Sequence, residues 1–181
     1  MPDDERRVLG FDRLASGEMP AISAVMGQFL VEAAAVCFDS QGHKAPASLS
    51  TEGDYVCAYE VSWPPVDDQV RRTHNDLQTA TEHGACGVAC ALAPDATGLD
   101  VVLQAKKGGG FDYWLGKGTG DAPFADSARL EVSGILKGSS TVVAARVSQK
   151  LRQTDLSDGK LPAYAIVVEF SHPRAVVKKK T

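Results

Sequence analysis

Between positions 21 and 38 the larger apolar residues fall at Ile22, Val25, Met26, Phe29, Leu30, Ala33, Val36 and Cys37, in steps of one or three. That is the repeat of a helix with one apolar face. Gln28 and Glu32 interrupt it, so the pattern predicts a packed surface helix and no membrane span or membrane partner. Further along, β-prone runs at 48–51 and 55–63 flank Glu52-Gly53-Asp54, which reads as a β-hairpin. Trp63-Pro64-Pro65 ends the second strand, because proline cannot continue a ladder, and Asp67 or Asp68 can cap a helix beginning there.

The next pattern is a helix over 68–92 with a run of small residues from Ala80 to Ala89. Gly84 and Gly87 cost helix propensity there, which is consistent with a helix that must approach another element closely. Three β-like runs follow at 99–106, 111–115 and 128–136. Gly138-Ser139-Ser140 caps a helix over 141–153, and the apolar run 163–170 reads as a buried strand. From Asp68 onward the order is helix, three strands, helix, strand, which predicts a mixed α/β layer structure.

The chain of 181 residues, 44% of them hydrophobic, is long enough for one good core and is expected to form one domain over 1–181. Within it we expect a flexible arm at 1–18, a helix and hairpin at 19–66, the α/β core at 67–172 and a solvated basic tail at 173–181. A net charge of −4 gives no overall basic field, so any contact with nucleic acid must be local. Cys37, Cys57, Cys86 and Cys90 lie in helical or strand-like segments, which suits a reducing cytoplasm. His83, Cys86 and Cys90 are close enough on one helix to invite a zinc reading. A structural zinc needs four ligands from more distant elements, and buried thiols are the simpler expectation.

Strand alternation puts Asp112 on the face opposite Phe111 and Tyr113, and Glu131 on the face opposite Leu130 and Val132. Glu82 projects from the small-residue helix. A carboxylate inside a core strand is costly unless it has a partner or a purpose, and a divalent cation supplies both. Asp112 and Glu131 on adjacent strands would provide the one or two carboxylates that magnesium usually takes, leaving water and a phosphate to fill its shell. Lys150, on the helix after the Glu131 strand, is the cation nearest by topology. It shares a helical stripe with Arg146. Gly108-Gly109-Gly110 lacks the Gly-Lys-Ser/Thr ending of a phosphate loop and reads as a turn. Gly116–Gly120 reads as a mobile loop. Lys106, Lys107, Lys117 and Arg146 are the candidate contacts to a nucleic-acid backbone.

Gly110-Phe111-Asp112 followed by Leu130-Glu131-Val132-Ser133, in this order of elements, resembles the PD-(D/E)XK nuclease superfamily. The resemblance implies a restriction-endonuclease-like core of helix, three strands, helix and strand, to which an N-terminal helix and β-hairpin are added. It further implies Mg²⁺ or Mn²⁺ as cofactor on Asp112 and Glu131, Glu82 assisting through water, and phosphodiester hydrolysis with DNA preferred to RNA. Ser133 stands where the family carries its strand lysine, and Phe111 where it carries proline. The lysine must then arrive from the following helix, as some members allow, with Lys150 as its source. The rival reading is a catalytically silent nuclease-fold module that binds or assembles with a partner protein. A nuclease this short would need to form a homodimer to cut both strands of a duplex at once.

Overall fold

The computed structural model describes residues 7–118, 126–157 and 161–180. Its sheet has eight strands: β1 (Arg7–Leu9), β2 (Ala47–Gly53), β3 (Cys57–Val61), β4 (Asp100–Gln104), β5 (Tyr113–Gly116), β6 (Ala128–Ile135), β7 (Ala163–Glu169) and β8 (Arg174–Lys180). They lie in the order β1-β3-β2-β8-β7-β6-β5-β4. The helices are α1 (Asp12–Ser16), α2 (Ala24–Ser40), α3 (Asp68–Thr73), α4 (Leu77–Thr97) and α5 (Ser140–Gln153). The protein is therefore mixed α/β, built on one mixed sheet. Among the described residues no helix is long and apolar enough to cross a membrane.

α2 and α4 pack together on one face of the sheet, and the small residues of α4 explain how closely. A Cβ on Gly84 would sit 2.9 Å from the Ala34 Cα, and one on Gly87 would sit 2.9 Å from the Leu30 carbonyl oxygen. Both contacts are to backbone, which cannot yield as a flexible side chain would, so only glycine lets the helices meet at this distance. β6 separates the two layers by alternation. Leu130 and Val132 enter the main core with Val88 and Leu92 of α4. Ile135 on the other face packs with Val167 of β7 and with Val143 and Val147 of α5.

Three expected boundaries change. The helix read over 68–92 is two helices, because the Asp76 carboxylate accepts from the amides of Gln78 and Thr79 and starts α4 afresh after α3 has ended at Thr73. α4 then runs past Leu92 and through Pro94 to Thr97. A proline in the last turn deprives the helix of few bonds, and Gly98 closes it at φ 72°. Of the expected flexible arm, 1–6 lies outside the described residues. The remainder forms β1, parallel to β3, and α1, with Leu9, Phe11 and Leu14 buried. Thr119 and Gly120 of the expected mobile loop also lie outside the described residues.

The largest change concerns the basic tail. Residues 174–180 form β8, an interior strand antiparallel to β7 and parallel to β2. Ala175 and Val177 are fully buried. The lysines reach solvent towards the end of the strand: Lys178 lies 2.8 Å from Asp54, Lys179, beyond the covered part of the face that carries Ala175 and Val177, rests over the Tyr164 ring, and Lys180 pairs with Asp155.

Candidate functional site

β6 outruns β5. Their register pairs Leu115 with Ala128, Trp114 with Arg129 and Tyr113, the first residue of β5, with Leu130. Asp112 extends the pairing by one step with its side chain. Its amide donates to the Leu130 carbonyl at 2.8 Å, and its Oδ2 accepts from the Val132 amide at 2.8 Å. Past that point no strand among the described residues pairs with the β5 side of β6. The exposed edge forms the floor of a cleft of about 790 Å³. Gln78, Thr81, Glu82 and Cys86 of α4 form one wall, and Val142, Arg146 and Lys150 of α5 form the other.

The sequence and the helix–strand crossing together set the ionic pattern. Two residues on β6 and one turn on α5 are matched steps: Lys150 Nζ lies 2.6 Å from Glu131 Oε1, and one turn back Arg146 donates to Ser133 Oγ at 2.8 Å. Glu131 itself is buried, with its side chain 6% exposed. Burial pushes its carboxyl up to about 7, Lys150 opposes the rise, and Asp112 within hydrogen-bonding reach adds to it.

The sign of this shift gives a stability prediction. The folded state holds its proton on Glu131 above the ordinary value of 4.5 that the unfolded chain would show, so folding takes up a proton between 4.5 and about 7. This contribution to stability is complete below the unfolded value and is lost as pH rises through about 7. Glu131→Gln, which stays neutral, is expected to flatten the fall by on the order of 2 kcal/mol, as read from urea denaturation at pH 5 and pH 8. An unchanged slope would remove the raised Glu131 carboxyl.

Glu82 is placed differently from the other two acids. It is exposed on the α4 wall, and its charge reaches the others through their common neighbour Cys86. Burial pushes the Cys86 thiol up to about 12, with Asp112, Glu131 and Glu82 each adding to the rise. The Tyr113 hydroxyl lies close to both Cys86 and Cys90 and opposes the rise. These protonated thiols are neither nucleophiles nor ready metal ligands at neutral pH. Among the described residues, no three His, Cys, Asp or Glu side chains are disposed to hold a metal ion together.

The four basic candidates separate. Arg146 stands in the cleft. Lys106 and Lys107 are exposed on the turn that leads into Asp112, beyond the cleft lining. Lys117 follows the far end of β5 and pairs with Asp126 at 2.7 Å. The unpaired β6 edge and the bond that holds Arg146 to Ser133 were not read from sequence. The second had a signal available: Arg146 and Lys150 are one helical turn apart, as Ser133 and Glu131 are one strand repeat apart.

Comparison of the chain with family models, with curated proteins and with solved structures finds no match.

Proposed function

We propose that this chain is a Mg²⁺- or Mn²⁺-dependent phosphodiester hydrolase with a restriction-endonuclease-like core, acting on DNA in preference to RNA. The observation that carries the reading is the convergence of Asp112, Glu131 and Lys150 beside an unpaired strand edge, with Asp112 and Lys150 lining a cleft and Glu131 buried behind them. The element order from α4 to β7 supports it, being helix, three strands, helix, strand, with β4, β5 and β6 antiparallel in sequence and β7 parallel to β6.

Asp112 and Glu131 are the residues that would hold the cation. They offer hard oxygen donors, and a cation beside the buried Glu131 carboxyl would favour its charged form. A bound Mg²⁺ or Mn²⁺ supplies Lewis acidity toward a phosphoryl oxygen and makes a water acidic enough to attack near neutral pH. Lys150 holds Glu131 in place and presents a positive charge where negative charge develops on phosphorus. It would thus serve in place of the strand lysine whose position Ser133 occupies. Glu82 faces the same cleft and would orient water.

The second reading is a catalytically silent module of the same fold. The closed Lys150–Glu131 pair favours it, as does the lack among the described residues of a metal-holding trio. Incubating the purified protein with plasmid and with single-stranded DNA and RNA, in Mg²⁺, Mn²⁺ or EDTA, separates the two. Cation-dependent cleavage is expected. No cleavage of any substrate, together with a melting temperature indifferent to both cations, would leave the silent module.

A further inference from the structure

The cleft is graded along its length, and the gradient defines a ligand. At one end stand Asp112 and Lys150, with Glu131 buried behind Lys150. One strand repeat further along β6 is Ser133 with its Arg146. Beyond that the lining is mostly apolar, with Ile135, Leu136, Val142 and Leu77, and carries Gln78 and the exposed Lys137 at its margin. Val142 is 47% and Leu77 38% exposed, so this end presents carbon to solvent although most of the core apolar side chains are covered. Glu131 and Ser133 are separated by about 7 Å at the usual rise of a strand. That is comparable to the distance between neighbouring phosphates on one nucleic-acid strand.

We propose that the groove holds a single strand of nucleic acid, with the phosphate next to the scissile one on Arg146 and an unpaired base against Leu77, Leu136 and Val142. The inference rests on the hydrolase reading and names its substrate form. Ser133 orients the guanidinium from one side, which leaves its other donors for a phosphate in the fork geometry that suits arginine. A base leaves water for an apolar surface whatever its identity, so this end gives affinity without sequence preference. On the α4 wall, Nδ1 of His83 is buried without a hydrogen-bond partner among the described residues.

Size favours a single strand over a duplex. About 790 Å³ between α4 and α5 is the space of a small-molecule pocket, enough for a nucleotide or two. Unstacking is least costly for bases already unpaired.

The test is fluorescence anisotropy of the full chain in EDTA, which separates binding from cleavage. The probes are a short labelled oligothymidylate, the oligouridylate of equal length, an abasic strand and a blunt duplex. At least one of the two base-bearing strands is expected to bind about tenfold more tightly than the abasic strand or the duplex. Val142→Asp, an exposed position, should erase the advantage of bases over abasic sugar. Arg146→Ala should weaken the base-bearing and abasic strands alike. A duplex bound as tightly as the strands, or an abasic strand bound as tightly as a base-bearing one, overturns the proposal. Failure of the two readings looks different. Strand binding without cleavage in Mg²⁺ or Mn²⁺ supports the groove and removes the hydrolase; cleavage of duplex in preference to single strands supports the hydrolase and removes the groove.

Discussion

Asp112→Asn is expected to reduce Mg²⁺- or Mn²⁺-dependent cleavage about a thousandfold or more, while the melting temperature stays close to that of the parent protein. The substitution isolates charge from structure. Asp112 performs two tasks: its Oδ2 extends the β5–β6 pairing by accepting from the Val132 amide, and its negative charge lies against the Glu131 carboxyl. Asparagine keeps an oxygen that accepts from Val132 and loses the charge. In the silent-module reading the hydrogen bond is all that Asp112 provides, and Asp112→Asn changes nothing measurable. Asp112→Ala is less informative, because it also leaves the Val132 amide without its acceptor. The pair of substitutions therefore decides whether the carboxylate is there for its shape or for its charge. Side-by-side thermal melts and cleavage time courses read out both. A fully active Asp112→Asn protein would end the proposal that this residue holds a cation.

Removing residues 174–181 is expected to abolish cooperative folding. β8 is bonded to β7 along its whole length, to β2 at Arg174 through Val177, and it buries Ala175 and Val177 completely. Without it the sheet falls into two pieces, β1-β3-β2 and β7-β6-β5-β4, each with a newly exposed edge. β7 is buried over nearly all of its length and would present a long apolar edge of the kind that aggregates. Circular dichroism melts and gel filtration should give no native transition and a soluble-aggregate peak. By contrast, Lys179→Ala touches only a solvent-side contact and should shift stability by no more than about 0.5 kcal/mol. A truncated chain that stays monomeric and melts like the parent would refute the interior placement of β8.

The contrast between those two lysine-bearing readings shows what was legible in the sequence. Arg174 to Lys180 carries three consecutive lysines, and charge dominated the reading. The alternation of Ala175 and Val177 is only two residues deep, too short to announce a strand buried between neighbours. The opposite case is α4, where Gly84 and Gly87 in a helical pattern stated that something must come close. Ala34 and Leu30 do, at distances that admit no Cβ. β1 and α1 were unreadable for another reason: elements of three and five residues have no room to display a period.

The candidate site was legible where it derives from strand register. Asp112 and Glu131 were paired by alternation and element order, and Lys150 by helical spacing from an apolar stripe. What the sequence could not supply was the place where pairing stops. The start of β5 at Tyr113 depends on the turn through Gly108–Gly110 folding back, with Ala105 bonded to the Asp112 carbonyl. That stop is what converts a buried strand into the floor of a cleft. It also separates Glu82 from the other acids, since a residue on a helix wall cannot follow a strand partner into the core.

The position of β8 has a consequence in time. A ribosome delivers β2 early and β8 only after the whole of the intervening core, on the order of ten seconds later at ordinary elongation rates. Until then β2 has no neighbour on its β8 side, while α2, packed on α4, already ties the hairpin half to the half that carries the cleft. The sheet is complete only when β8 enters between β2 and β7, so a strand late in the chain ends in the interior of the sheet.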